Sequence, residues 1–174
     1  MTSPIKLSHV VLQTNQIPVL RDWYCQLLGA RVQAEVGPMC LLTYDDEHHR
    51  IALLHLEQYS ERIPNAAGMH HMAFCYASLS ELLHHYEKLR PKGVLPWFCV
   101  NHGPTISLYY RDPDGNQSEL QVDVFETSEE ANDFMQSPAY RSNPIGIEFD
   151  PDDMLKRLRS GVPEAQLMRR PDIE

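Results

Sequence analysis

Two short apolar runs, Leu7-Ser8-His9-Val10-Val11-Leu12 and His70-His71-Met72-Ala73-Phe74, stand between polar residues and predict strands. A three-to-four periodicity follows each and predicts a helix. The first runs through Val19, Leu20, Trp23, Leu27 and Leu28 and closes at Gly29; the second runs through Leu79, Leu82, Leu83, Tyr86 and Leu89 and closes at Pro91 and Gly93. The two sets are offset by 62 positions, which pairs His9 with His71, Leu20 with Leu82 and Tyr24 with Tyr86. Strand-like segments come next in both halves: 31–36, 40–44 and 51–56, then 94–100, 106–110 and 117–125. The first half turns at the polar stretch 45–49. The second turns at Asp112-Pro113-Asp114-Gly115-Asn116, whose proline and glycine suit a tight hairpin. The pattern predicts a duplicated βαβββ module, about residues 5–58 and 68–125, within a single α+β domain over 1–125.

Residues 126–174 lie beyond the repeat. Ser128–Gln136, with Ser128 as cap and Glu129 and Glu130 in the first turn, predicts a helix. A second begins at Asp150-Pro151 and runs through Met154, Leu155 and Leu158 to Gly161. No element is predicted for 137–144. The body, residues 1–125, carries 9 basic and 13 acidic groups, and the extension carries 6 and 11. This acidic, partly helical tail could cover a cavity mouth, pair two subunits or dock loosely.

Composition narrows the function. A chain of 174 residues with 43% hydrophobic content can build its own core. Its net charge of −9 argues against nucleic acid and anionic membranes as partners. No apolar run approaches a membrane span, and the first residues lack the build of a signal peptide, so the expected location is cytoplasmic. Four cysteines without a CxxC pair are expected to be buried free thiols.

All nine histidines fall between His9 and His102. His9 and His71 open equivalent strands, and a pseudo-twofold relation between the modules would bring them together. Glu119, on the strand after the Asp-Pro-Asp-Gly-Asn turn, completes two imidazoles and a carboxylate. Such a set leaves open positions on a divalent ion, as in non-haem Fe(II) oxygenases. The bland reading is three unconnected polar residues on strands.

The segments His9-Val10-Val11-Leu12, His71-Met72-Ala73-Phe74 and Asp112-Pro113-Asp114-Gly115-Asn116-Gln117-Ser118-Glu119-Leu120 resemble the vicinal oxygen chelate superfamily. That superfamily holds glyoxalase I, fosfomycin-resistance transferases, bleomycin-resistance proteins and extradiol dioxygenases. The resemblance implies paired βαβββ modules forming a cupped mixed sheet around a metal held by His9, His71 and Glu119. His71 rather than His70 matches the ligand register, and His70 is expected on the opposite face. Glyoxalase I-like members add a fourth carboxylate ligand; its equivalent here falls near Leu53, where no carboxylate stands.

Ser107-Leu108-Tyr109 is similar to an extradiol dioxygenase strand whose tyrosine precedes the carboxylate ligand by ten residues and hydrogen-bonds a substrate oxygen. His48-His49-Arg50-Ile51-Ala52-Leu53 resembles a segment whose second histidine is the acid/base, which implies His49, with His55 as rival. His102 resembles a further histidine placed before the tyrosine strand. The interval from His49 to His71 implies an insertion around 58–67. Together these imply an Fe(II)-dependent extradiol dioxygenase (Mn(II) or another divalent ion being the alternative) with a small aromatic diol and O₂ as substrates, working as a homodimer. A glyoxalase-like isomerase, a fosfomycin-type thiol transferase and a non-catalytic resistance protein are the alternatives.

Overall fold

The computed structural model describes residues 2–63 and 66–171. By contact density the chain divides into two units, 1–68 with 112–116, and 69–111 with 117–174.

In the first unit, β1 (Val10–Gln13) leads into α1 (Ile17–Leu28), followed by β2 (Arg31–Val36), β3 (Met39–Thr43) and β4 (Ile51–Leu54). The sheet order is β1-β4-β3-β2, with β1 parallel to β4 and the other neighbours antiparallel. Register places Leu12, Leu53 and Cys40 in one row and Ile51 and Leu42 in the next. All five are buried, as are Leu20, Tyr24 and Leu27 of α1, which packs against β3 and β4. The buried stripe of α1 is therefore 20, 24 and 27. Val19 is 47% exposed and Trp23 half-buried, because the apolar set read from sequence spans more than the face that meets the sheet.

The turn 112–116 belongs to this unit. Asp112 is buried and collects four donors: the backbone N–H of Asp114 and Asn116 on Oδ1, and the Asn116 amide and the Tyr24 hydroxyl on Oδ2. Burial pushes its carboxyl above the ordinary value in spite of those donors. A turn read from Pro and Gly is thus also closed by an aspartate working as a backbone acceptor.

The second unit repeats the plan. It has β5 (His71–Tyr76), α2 (Leu79–Leu89), β6 (Phe98–Asn101), β7 (Thr105–Arg111) and β8 (Gln117–Asp123). The order β5-β8-β7-β6, with β5 parallel to β8, matches the first sheet. Each unit is therefore a βαβββ module of an α+β fold. Leu79, Leu82, Leu83, Tyr86 and Leu89 are all buried, the stripe the sequence predicts. Ser78 caps α2 by accepting from the Glu81 N–H. The strand expected over 94–100 forms only at 98–101; the preceding stretch holds Pro96, which has no N–H to give to a ladder.

The tail is part of this unit. Its elements are α3 (Ser128–Gln136), α4 (Pro138–Ser142), β9 (Ile147–Glu148), α5 (Pro151–Arg159) and α6 (Glu164–Met168). Thr127, not Ser128, caps α3, in a reciprocal box with Glu130. β9 adds to the sheet beside β6, and α5 packs on α2 through buried Met154 and Leu155. Asp152 accepts from the Tyr86 hydroxyl and from Arg90, and Glu164 accepts from the Leu79 N–H at the start of α2. Among the four cysteines only Cys40 and Cys99 are buried; Cys75 is exposed on β5, because its side chain alternates away from the α2 side. No described helix is long and apolar enough to cross a membrane.

Leu83 is fully buried under α2. Leu83→Ala should cost about 2–5 kcal/mol in urea denaturation. Asp112→Ala strands four donors at the turn and should cost about 3 kcal/mol in the same measurement. No loss in the second variant would show that the turn is held by its backbone alone.

Candidate metal centre and catalytic side chains

Pairing in the second unit sets the central geometry. The parallel register places His71 opposite Gln117 and Ala73 opposite Glu119, so His71 and Glu119 are diagonal neighbours on one face. His71 Nε2 lies 2.8 Å from Glu119 Oε2. The β7–β8 hairpin is symmetric about Asp114, so the ten-residue step from Tyr109 to Glu119 makes them a direct cross-strand pair. The His71 and Tyr109 rings lie 5.3 Å apart, edge to face. Phe98 of β6 pairs with Tyr109, and their ring centres are 5.8 Å apart.

Glu119 is 4% exposed and Tyr109 6%. A carboxylate this deep needs a partner, and its partner is the imidazole of His71. Burial, reinforced by the Glu119 charge, pushes the Tyr109 phenol far above its ordinary value, so it stays protonated. His102 Nε2 is 3.0 Å from Tyr109 Oη, and His102 Nδ1 donates to the Ile145 carbonyl at 2.5 Å. His70 precedes β5; its Nδ1 is 2.7 Å from His71 Nδ1. The two rings thus share one hydrogen bond, leaving His71 Nε2 to face Glu119.

His9 and His49 meet in the first unit. β1 and β4 begin in register at Val10 and Ile51, and Val10 N–H donates to the Arg50 carbonyl. The residues just ahead of each strand are therefore neighbours, with the His9 and His49 ring centres 4.4 Å apart. Arg50 holds this end: its Nε donates to Asp45 and its Nη1 to the Leu7 and Ser8 carbonyls. Burial first, then His9 and His48, hold the His49 pKa below the ordinary imidazole value. His9 itself is exposed, one residue ahead of β1. His55 follows the far end of β4, where its Nδ1 donates to the Thr14 carbonyl at 2.8 Å, away from His9. In the same register Ala52, opposite Val11, is the counterpart of Glu119, one position from the expected Leu53. It offers no ligand. Residues 64–65 of the expected insertion lie outside the described residues.

Among the described residues no group of three or more His, Cys, Asp and Glu is assembled as a metal cluster. The structure brings together His71 with Glu119 in one unit and His9 with His49 in the other. An imidazole nitrogen and a buried carboxylate oxygen on one face are donors that suit a first-row divalent ion, so these residues fit one. Two open cavities of the second unit, about 310 and 400 Å³, are lined by β6 and the tail, and neither reaches His71, Glu119 or Tyr109. The partners that sequence reading missed are Phe98 and the Ile145 carbonyl. Strand alternation could have found the first; a backbone carbonyl has no sequence signal.

The model of the Glyoxalase/Bleomycin resistance protein/Dioxygenase superfamily matches residues 6–120, and the chain belongs to that superfamily. It is 48% identical over 164 residues to biphenyl-2,3-diol 1,2-dioxygenase 2 of Rhodococcus globerulus, covering 94% of this chain and 86% of that one. It is 46% identical over 172 residues to biphenyl-2,3-diol 1,2-dioxygenase 3 of the same organism, covering 98% and 90%. Among solved structures, a glyoxylase/bleomycin resistance protein/dioxygenase domain from Frankia sp. EAN1pec matches with a TM-score of 0.58 over 75% of this chain and 99% of that one, at 18% identity. That likeness is one of fold.

Proposed function

We propose that the chain is an extradiol dioxygenase that opens the ring of a small catecholic substrate with O₂, using a divalent metal, Fe(II) in the first instance and Mn(II) as the alternative. The observation that carries the reading is the row His71–Glu119–Tyr109 on one sheet face, with His102 behind the tyrosine. The two relatives named biphenyl-2,3-diol dioxygenases support it over nearly the whole chain. His9, His71 and Glu119 would hold the ion, within one domain over 1–125 extended by the tail. Ala52 at the counterpart of Glu119 argues against a four-ligand, glyoxalase-type centre. When bound, the ion supplies a Lewis acid with open positions for a diol and O₂.

The chain's own groups handle orientation and protons. His49, neutral at pH 7 because its pKa is lowered, takes a proton from the diol and later returns it. Tyr109, kept protonated, hydrogen-bonds a substrate oxygen, and His102 orients it. Phe98 beside Tyr109 offers an apolar surface to an aromatic ring. The cytoplasmic location and the exclusion of nucleic acid and anionic membranes as partners rest on the sequence, chiefly its net charge of −9. The homodimer rests on family resemblance.

Metal content of the purified protein tests the ligand set. His71→Ala should lower metal affinity by more than about 100-fold, beyond the loss of an outer partner. His70→Ala should keep the metal; the reverse result moves the ligand by one residue. His49→Gln should keep the metal while O₂ uptake over simple catechols falls by about 10²–10⁴. A base works deprotonated, so wild-type kcat/KM should fall as pH drops through the His49 pKa, with that limb below pH 6.5 and absent in the variant. Full turnover by His49→Gln would remove it from the mechanism.

A further inference from the structure

The chain between Asn143 and Arg170 closes around one loop, Asn101-His102-Gly103. β9 pairs with β6 at Val100 and Asn101, immediately before His102. Arg170 donates from Nη1 to the His102 carbonyl at 3.1 Å and from Nη2 to the Asn143 carbonyl at 2.6 Å, stapling the two segments together. The Asn101 amide donates to the Met168 carbonyl at 2.9 Å. Gly146 has φ +108, and a Cβ there would lie 2.2 Å from the Asn101 carbonyl oxygen and 2.8 Å from His102 Cα. Only glycine lets the tail approach this closely. On the other side a Cβ at Gly103 would meet the Phe134 ring of α3 at 2.2 Å. The loop is thus held from two directions by residues outside the repeat.

That grip has a chemical result. The Ile145 carbonyl can only accept, so the His102 Nδ1 facing it carries a hydrogen. In the neutral ring Nε2 is then a bare acceptor, 3.0 Å from Tyr109 Oη. Tyr109 has one proton, with His102 and Glu119 as acceptors and the Ser107 hydroxyl as a further hydrogen-bond partner that donates to Oη. Were the proton on the Glu119 side, lone pairs of Oη and Nε2 would face each other. The Nδ1–H tautomer draws the proton to His102.

We propose that residues 143–170 are a positioning element for the site: they hold His102 as its Nδ1–H tautomer, so that the still-protonated Tyr109 donates its hydrogen bond to His102 and presents an acceptor lone pair to a hydroxyl of the bound diol. The last clause rests on the dioxygenase reading; the tautomer does not. Arg170 and Gly146 are the positioning residues.

The test is ring-nitrogen NMR of the metal-free, full-length protein labelled with 15N-histidine, at mildly alkaline pH. His102 is assigned by the loss of its signals in His102→Gln. His55, whose Nδ1 bonds the Thr14 carbonyl in the other unit, serves as an internal reference. The expected result is a protonated Nδ1 and a bare Nε2 for His102 in the wild type. That signature should be lost in Arg170→Met and in Gly146→Val, with His55 unchanged, and recovered in part by Arg170→Lys. In metal-loaded Arg170→Met, turnover of catechol should fall about 10-fold, the cost of losing an orienting partner. An Nε2–H tautomer in the wild type overturns the proposal, as does an unchanged Nδ1–H in folded Arg170→Met. If Gly146→Val does not fold, Arg170→Met decides, since Arg170 is half-buried and reaches the loop through its guanidinium. A wild type that consumes no O₂ with catechols removes the dioxygenase reading and leaves the tautomer result standing.

Discussion

The parallel pairing of β5 with β8 is the constraint on which the site depends. It buries the Glu119 carboxylate almost completely and brings the His71 imidazole to it on the diagonal. A buried carboxylate without a partner costs several kcal/mol. A slip of one residue along this pair would turn Glu119 onto the α2 side, where Leu82 and Leu83 are buried, and turn Leu120 out of it. The hydrophobic alternation of β8 and the charge of Glu119 therefore enforce the same register. The hairpin 112–116 repeats that constraint from the other side: its symmetry about Asp114 sets Tyr109 against Glu119.

Duplication was legible in the sequence because both modules solve the same burial problem. The stripe at Leu79, Leu82, Leu83, Tyr86 and Leu89 lies where periodicity places it, and both sheets share one strand order. What periodicity cannot settle is which apolar residues of an over-rich helix meet the sheet; in α1 the face is Leu20, Tyr24 and Leu27, leaving Val19 in water. Nor does it locate a strand end where a proline interrupts the apolar run, as Pro96 does before Phe98. Side-chain chemistry was legible where it follows from spacing. The ten-residue step between Tyr109 and Glu119 is a hairpin pairing, and the histidines beside β1 and β4 are neighbours because those strands start together. The fixing of His102 is not legible in this way, since Ile145 and Arg170, which hold it, lie in a segment that has no counterpart in the repeat.

The two modules share their topology and differ in their chemistry. The row that holds Ala73 and Glu119 in the second holds Val11 and Ala52 in the first. Where the second module buries a carboxylate, the first buries a methyl group. The first module keeps its polar side chains at the strand starts, with Arg50 tying Asp45 to the Leu7 and Ser8 carbonyls beside His9 and His49.

A buried tyrosine hydroxyl with a carboxylate on one side and an imidazole nitrogen on the other has two possible hydrogen-bond directions. Something outside the pair has to choose between them. In a bare βαβββ duplication the His102 loop would have its Nδ1 open to water, and either imidazole tautomer would satisfy it. The tail removes that freedom by offering a carbonyl, an acceptor in every protonation state, at the one nitrogen not facing Tyr109. The same segment contributes Leu167, Met154 and Leu155 to the core, so its attachment is secured by burial well away from the site. Selecting one tautomer needs only a modest free-energy difference, because about 1.4 kcal/mol already shifts an equilibrium tenfold. A few main-chain hydrogen bonds, held in place by a docked helix pair, are enough to set the polarity of a phenol at the other end of the imidazole.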